Sequence, residues 1–272
     1  MTAPFSAITY AAAGGIATLR LDRPDQRNAL DLQMRAEIAE AVAMARDDAG
    51  VKVLLLAGSG GSFCAGGDLK ALTETRRPVM ANRARIRSLH RWFGELLNLE
   101  KPVVAAVDGP AFGAGLNLAL AADFVLATPR ARFCAVFARI GLVPDLGGFF
   151  LLPRLVGLQR AKELVMTARI LGAEDARAMG LVLEIHPEES IEEAARALCR
   201  RLLQAPTGAL GMAKVILNQS FNLDQQALVE LEAQAQALAL ETEDHRARVA
   251  DFLARRPLAY DWEALARADD TP

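Results

Sequence analysis

Two glycine-rich turns constrain this chain more than any other feature. They are Phe63-Cys64-Ala65-Gly66-Gly67-Asp68-Leu69 and Gly109-Pro110-Ala111-Phe112-Gly113-Ala114-Gly115-Leu116-Asn117. Each follows a run of apolar residues and each leads into a helical pattern. Small residues there leave bare backbone N–H groups free to face a ligand, and a helix start adds the positive end of a dipole. With no metal motif and no nucleophile motif elsewhere, two such turns point to an oxyanion hole built from main chain, and so to chemistry on a carbonyl.

The segments around the turns read as alternating strand and helix. Residues 16–21 form a short strand after Gly14-Gly15, and a helix over 29–48 follows, capped by Asn28. Its Leu30, Met34, Ile38 and Val42 recur every four residues and make an apolar stripe. Residues 51–57 and 103–107 are near-continuous apolar runs, the pattern of strands buried on both faces. A helical stretch over 69–97 is interrupted at Pro78; a helix over 116–122 and a strand over 124–127 follow the second turn. This recurrence predicts an α/β layer structure. The second half is mostly helix, over 161–168, 173–179, 191–204, 209–219 and 223–240, the last rich in strong helix formers.

Composition removes several function classes. A formal net charge of −2 leaves no global basic field to attract nucleic acid or an anionic membrane surface. The local exception, Arg76, Arg77, Arg83, Arg85, Arg87 and Arg91, reads as a solvated helix face, with attraction to phosphates as the alternative. Three unevenly spaced cysteines, Cys64, Cys134 and Cys199, fit neither a disulfide framework nor a zinc site, and they suit a reducing compartment. Residues 1–10 lack a secretory pattern and no apolar run is long enough for a membrane span, so the cytoplasm is the expected location. A dinucleotide fingerprint fails because Leu118 and Phe63 stand where the third glycine is needed. Neither turn carries the Gly-Lys-Ser/Thr of a nucleotide loop, and no G-x-S-x-G elbow occurs. His90, His186 and His245 all lie in charged or polar surroundings and read as surface residues.

Three segments in order carry a resemblance: Arg23-Pro24-Asp25-Gln26-Arg27-Asn28-Ala29-Leu30, then Ala65-Gly66-Gly67-Asp68-Leu69, then Lys101-Pro102-Val103-Val104-Ala105-Ala106-Val107-Asp108-Gly109 with the turn behind it. Together they resemble the crotonase (enoyl-CoA hydratase/isomerase) superfamily over nearly the whole chain. The resemblance implies a spiral of β-β-α units over 1–200 and a C-terminal helical region over 201–272 that assembles trimers or dimers of trimers. It implies an acyl-CoA thioester as substrate, with coenzyme A part of that substrate and no separate cofactor or metal. It puts the two N–H donors to the thioester oxygen on Gly67 and Ala114. Ala65 and Lys70 fall along the CoA track, and Phe252 and Arg255 on a helix that reaches the nucleotide from the same or a neighbouring subunit. Ala114 departs from the glycine of many relatives, which a backbone donor tolerates if φ stays negative.

The departures at the acid positions decide which branch is expected. The two glutamates that activate water in hydratases are replaced here by Asn117 and Phe137, neither of which can serve as a base. Asp145, in Gly141-Leu142-Val143-Pro144-Asp145-Leu146-Gly147-Gly148, together with Asn117 and Leu152-Pro153-Arg154, resembles the isomerase branch that includes ring-1,2-epoxyphenylacetyl-CoA and enoyl-CoA isomerases. One base suffices for a double-bond shift, and apolar neighbours raise its basicity. The other readings are a turn or cap role for Asp145, an enoyl-CoA hydratase using other residues, and a non-catalytic acyl-CoA-binding homologue. Asp68 reads as a helix cap and Cys64 as a packing residue. Phe112, Phe137, Phe149 and Phe150 either line an acyl pocket or belong to the core.

Overall fold

The computed structural model describes residues 5–73 and 77–269, so Arg76 of the arginine cluster lies outside them. Strands β1 (Ile8–Ala13) and β2 (Ile16–Leu21) form an antiparallel hairpin around Gly14 and Gly15, both at positive φ. A two-residue turn between twisted strands requires that conformation. Helix α1 (Leu32–Asp47) begins later than expected because Asp31, not Asn28, caps it, its Oδ1 accepting from Met34 N at 2.8 Å. Asn28 is instead fully buried at φ 55°. Its Oδ1 accepts from Arg23 N at 2.8 Å, and its Nδ2 donates to Ser59 O at 3.0 Å and Ser62 O at 2.7 Å. The stripe of Leu30, Met34, Ile38 and Val42 is buried as expected.

Strand β3 (Val53–Gly58) leads through the first glycine turn to a short helix α2 (Leu69–Thr73), and α3 (Val79–Leu97) starts directly after Pro78. Then come β4 (Val103–Val107), β5 (Pro110–Phe112), α4 (Ala114–Leu120), β6 (Phe124–Ala127) and β7 (Arg132–Cys134). Helices α5 (Gly148–Val156) and α6 (Leu158–Thr167) precede β8 (Leu171–Gly172), α7 (Ala173–Ala178) and β9 (Glu184–Ile185). The rest is helical: α8 (Ile191–Leu203), α9 (Thr207–Gln219), α10 (Gln225–Leu240), α11 (Glu243–Leu253) and α12 (Trp262–Asp269).

One sheet has the order β1-β2-β3-β4-β6-β9, parallel outside the opening hairpin, and a smaller sheet has the order β5-β7-β8. The central strands are apolar throughout because each face meets a different core. Leu54, Leu56, Ala105 and Val107 join the large cluster with α1 and α4. Val53, Leu55, Val104, Ala106 and Leu126 face Ile191, Ala195, Leu198 and Leu202 of α8. Burying each of those leucines contributes about 2 kcal/mol, so α8 belongs to the sheet, and position 200 falls inside it. Helix α9 is pinned by Lys214, whose Nζ donates to Asp123 at 2.8 Å and to Lys101 O at 3.2 Å. Beyond it, α10 and α11 bury no residue. Among the described residues no helix is long and apolar enough to cross a membrane, and no group of three or more His, Cys, Asp or Glu is placed to hold a metal.

Candidate active site

The ends of β3 and β4 bring the two glycine turns side by side. Cys64 N donates to Pro110 O at 2.9 Å and Phe112 N to Cys64 O at 2.9 Å, a two-residue parallel bridge. The first turn is held from its other side by Leu30, whose N–H reaches Gly66 O at 2.7 Å while its carbonyl accepts from Asp68 N at 3.2 Å. Gly67 is the residue paired with Leu30 in that bridge, so its own N–H points away from Leu30. Ala114 opens α4, where the first N–H groups have no partner inside the helix. Ala114 is not among the residues at positive φ, so its methyl costs no strain.

Glycine is required at two places here. Gly66 has φ 102°, and a Cβ on it would lie 2.8 Å from Phe112 O and 3.7 Å from Ala114 N. Gly66 therefore lies close to the Ala114 amide at the start of α4. A Cβ on Gly115 would come within 2.3 Å of Cys64 O, so the second turn cannot approach the first with any side chain there. Cys64 is fully buried and burial pushes its thiol up to about 12, which makes it a packing residue.

Asp145 sits on the loop between a short 3-10 turn (Val136–Ile140) and α5, with Leu146 and Gly147 both left-handed. Its backbone carbonyl accepts from Asn117 Nδ2 at 2.7 Å and from Gly148 N at 3.0 Å. Asn117 lies one turn after Ala114 on α4, so a single short helix carries the Ala114 amide and the anchor of the Asp145 loop. A Cβ on Gly148 would fall 2.7 Å from Asn117 Nδ2, which explains the second glycine of that pair. Asp145 caps nothing with its side chain, and its Oδ1 is buried without a hydrogen-bond partner. Burial pushes its carboxyl above the usual aspartate range, against the opposing pull of Arg35, Arg85 and His90.

The pull of those three basic residues on Asp145 is what sequence reasoning missed. Arg35 follows Met34 of the apolar stripe on the buried side of α1 and is only 8% exposed; an arginine flanked by stripe residues was the available signal. Arg85 departs from the solvated-face expectation, being half-buried, while Arg83, Arg87 and Arg91 are exposed as expected. His90 is exposed, as read, yet its charge is felt at Asp145.

The remaining expected residues divide. Ala65 lies in the first turn with its N–H spent on Arg27 O at 2.9 Å. Asp68 behaves as a cap, its Oδ1 accepting from Lys70 N at 3.1 Å and Ala71 N at 3.3 Å. Lys70 is exposed on α2. Phe137 is buried, its ring edge 3.6 Å from where a Cβ on Gly113 would lie. Phe149 is exposed and the Phe150 ring stacks under the Arg154 guanidinium at 3.6 Å. Phe252, at the end of α11, is 67% exposed, and Arg255 just after it is exposed too. Among the described residues no hydrogen bond or ion pair within the chain joins either to the glycine turns.

Comparison with known proteins shows the family of the chain. The family model described as enoyl-CoA hydratase/isomerase matches residues 11–263. A 1,2-epoxyphenylacetyl-CoA isomerase of Escherichia coli is 36% identical over 246 residues, covering 89% of this chain and 93% of the relative. A probable enoyl-CoA hydratase of Rhodobacter capsulatus is 38% identical over 254 residues, covering 93% and 97%. The crystal structure of an enoyl-CoA hydratase/isomerase from Cupriavidus metallidurans superposes with a TM-score of 0.90 at 42% identity, covering 95% of this chain and 97% of that one. The chain belongs to the crotonase (enoyl-CoA hydratase/isomerase) superfamily and has its fold.

Proposed function

We propose that this protein is an acyl-CoA isomerase that shifts a double bond with Asp145 as its single base. The observation that carries the reading is the Asp145 carboxyl, raised by burial and with Oδ1 unpaired, on a loop that Asn117 ties to the helix beginning at Ala114. In the proposed cycle the carboxylate takes a proton from C2 of a 3-enoyl thioester, leaving a dienolate. The thioester oxygen, now negative, accepts from the N–H groups of Gly67 and Ala114, each donor lowering the barrier by about 3 kcal/mol. Asp145 then returns the same proton at C4, giving the conjugated 2-enoyl thioester with no net gain or loss of atoms. Burial supports this role, since a carboxylate poor in solvent is a stronger base.

Water activation is less well supported, because the two places where hydratases carry glutamate hold a buried amide, Asn117, and a buried ring, Phe137. The relatives include both an isomerase acting on a CoA thioester and a probable enoyl-CoA hydratase, so the choice rests on the residues of this chain. Ala65 and Lys70 would follow the CoA chain. Phe252 and Arg255 would reach it from a neighbouring copy in a homotrimer or dimer of trimers, a reading supported by the exposed Leu238, Leu240, Phe252 and Leu253 of α10 and α11. The buried free thiols suit the cytoplasm. The test is Asp145→Asn. Turnover of 3-enoyl-CoA should fall by about a hundredfold or more while acyl-CoA still binds; retained turnover removes Asp145 from the mechanism.

A further inference from the structure

Helix α3 carries Arg83, Arg85, Arg87 and Arg91 against a single acid, Glu95, which is already paired with Arg46 at 2.7 Å. Arg83, Arg87 and Arg91 recur every four residues, so they stand in one row along the helix, spanning about 12 Å. All three are exposed, and none of their guanidinium groups makes a hydrogen bond or ion pair among the described residues. With Met80 and His90 they line an open groove of about 630 Å³. Val79, one turn before Arg83, and Met80 beside it are 82% and 67% exposed. Like charges at this spacing weaken the helix that bears them, and the chain supplies no counter-charge.

The row borders the candidate active site. His90 packs edge-on against Phe93, with ring centroids 6.3 Å apart. A Cβ on Gly147, two residues after Asp145, would fall 2.4 Å from that same Phe93 ring. Whatever neutralises the row therefore sits beside the loop that carries Asp145.

An acidic protein helix matches this face better than a small anion does. Carboxylates four residues apart on such a helix repeat at the spacing of the arginines, whereas one phosphate group cannot span the row. The exposed Val79 and Met80 add the apolar contact that protein interfaces combine with arginine. The aromatic residues of α3, Trp92 and Phe93, are buried and offer no platform for nucleic-acid bases. Coenzyme A and carrier proteins present an acyl group on the same pantetheine arm, so amides at Gly67 and Ala114 cannot distinguish them. A charged face outside the pocket can.

We infer that the row of Arg83, Arg87 and Arg91 docks an acidic helix of a carrier protein that holds the acyl group as a pantetheine thioester. Acyl groups then reach the site on that protein as well as on coenzyme A. The inference rests on the acyl-thioester reading, and it does not require that Asp145 be the base.

The experiment presents one saturated acyl group twice, on coenzyme A and on a purified acyl carrier protein, and reads binding by titration calorimetry. The wild-type protein should bind the carrier ester, with an affinity that falls as salt is raised. Combining Arg83→Glu, Arg87→Glu and Arg91→Glu should weaken the carrier ester by about tenfold or more and the CoA ester by less than about twofold. The neutral set, Arg83→Gln with Arg87→Gln and Arg91→Gln, should fall between wild type and the reversed protein. Arg177→Glu, on the exposed face of α7, should leave both affinities unchanged. Failure of the wild-type protein to bind the carrier ester overturns the inference. An equal loss for both esters on charge reversal also overturns it, and assigns the row to the phosphates of coenzyme A. A changed sedimentation coefficient of the reversed protein would make the face a contact between copies of this chain, with the same consequence. Because binding is read without turnover, a carrier affinity that charge reversal abolishes, in a protein that isomerises nothing, would refute the isomerase reading and leave this one standing.

Discussion

Gly66→Ala is the substitution that separates a catalytic turn from a merely tight one. The Gly67 N–H belongs to the peptide joining residues 66 and 67, so its direction depends on the Gly66 backbone. At φ 102° an alanine is strained by about 1–3 kcal/mol, and its methyl carbon would lie 2.8 Å from Phe112 O, closer than such contacts occur. The backbone must rotate to relieve this, and rotation swings the Gly67 N–H away from the thioester oxygen it is proposed to bind. Loss of one of two oxyanion donors costs about 10²–10³ in kcat. Stability should fall by that strain and by any weakening of the Leu30 N–Gly66 O bond, since Gly66 itself carries that carbonyl. The assay is steady-state turnover of a 3-enoyl-CoA beside thermal unfolding. Gly94→Ala serves as the control, since a Cβ there meets nothing within 4 Å and a helix interior favours alanine by up to about 1 kcal/mol. Gly66→Ala that folds and keeps full kcat would refute the reasoning.

The acid side of the molecule yields further expectations. Asp145 must be ionised to accept a proton, and burial holds its carboxyl above the usual aspartate range. A plot of kcat/KM against pH should therefore rise with one ionisation above that range, and a limb at the ordinary aspartate value would contradict the burial argument. The same raised pKa means that the proton is held more tightly in the folded state, a contribution lost as pH rises through the folded value. Asp145→Asn should thus melt no lower than wild type at neutral pH, a direction that differential scanning calorimetry reads. Glu37 is the opposite case. Burial opposes its ionisation, but donors from Gln33, Ser6 and Ala7 outweigh it and hold the carboxyl at about 2. Its contribution of about 3 kcal/mol is present above the ordinary glutamate value and is lost as pH falls towards 2. Glu37→Gln should lower Tm at neutral pH and flatten the acid unfolding curve; an unchanged curve would contradict the assignment.

The glycine turns and the central strands were legible because their physics is local. Positive φ and close backbone approach demand glycine, and strands covered on both faces must be apolar throughout. The start of α1 was not, because Asn28 and Asp31 are both good caps; only the long-range demand of the Arg23, Ser59 and Ser62 backbones assigns Asn28 to the core. Helix α5 was hidden by its composition, an apolar run with Pro153 inside it, which offers neither period nor boundary. The two-residue strands β8 and β9 are too short to leave a pattern. At the candidate site, Asp145 stands out in the sequence as a carboxylate among apolar residues, whereas the bond from Asn117 to its carbonyl joins residues 28 apart and leaves no local signal. Arg35 and Arg85 were out of reach, since α1, α3 and the Asp145 loop converge only in three dimensions.

A 3-enoyl-CoA and the matching 2-enoyl-CoA, each incubated with the protein and followed by mass spectrometry of the products, test the single-base mechanism most directly. The account predicts conversion of the first to the conjugated isomer and no 3-hydroxyacyl-CoA from the second. Rapid hydration of the second with the first left untouched would contradict it.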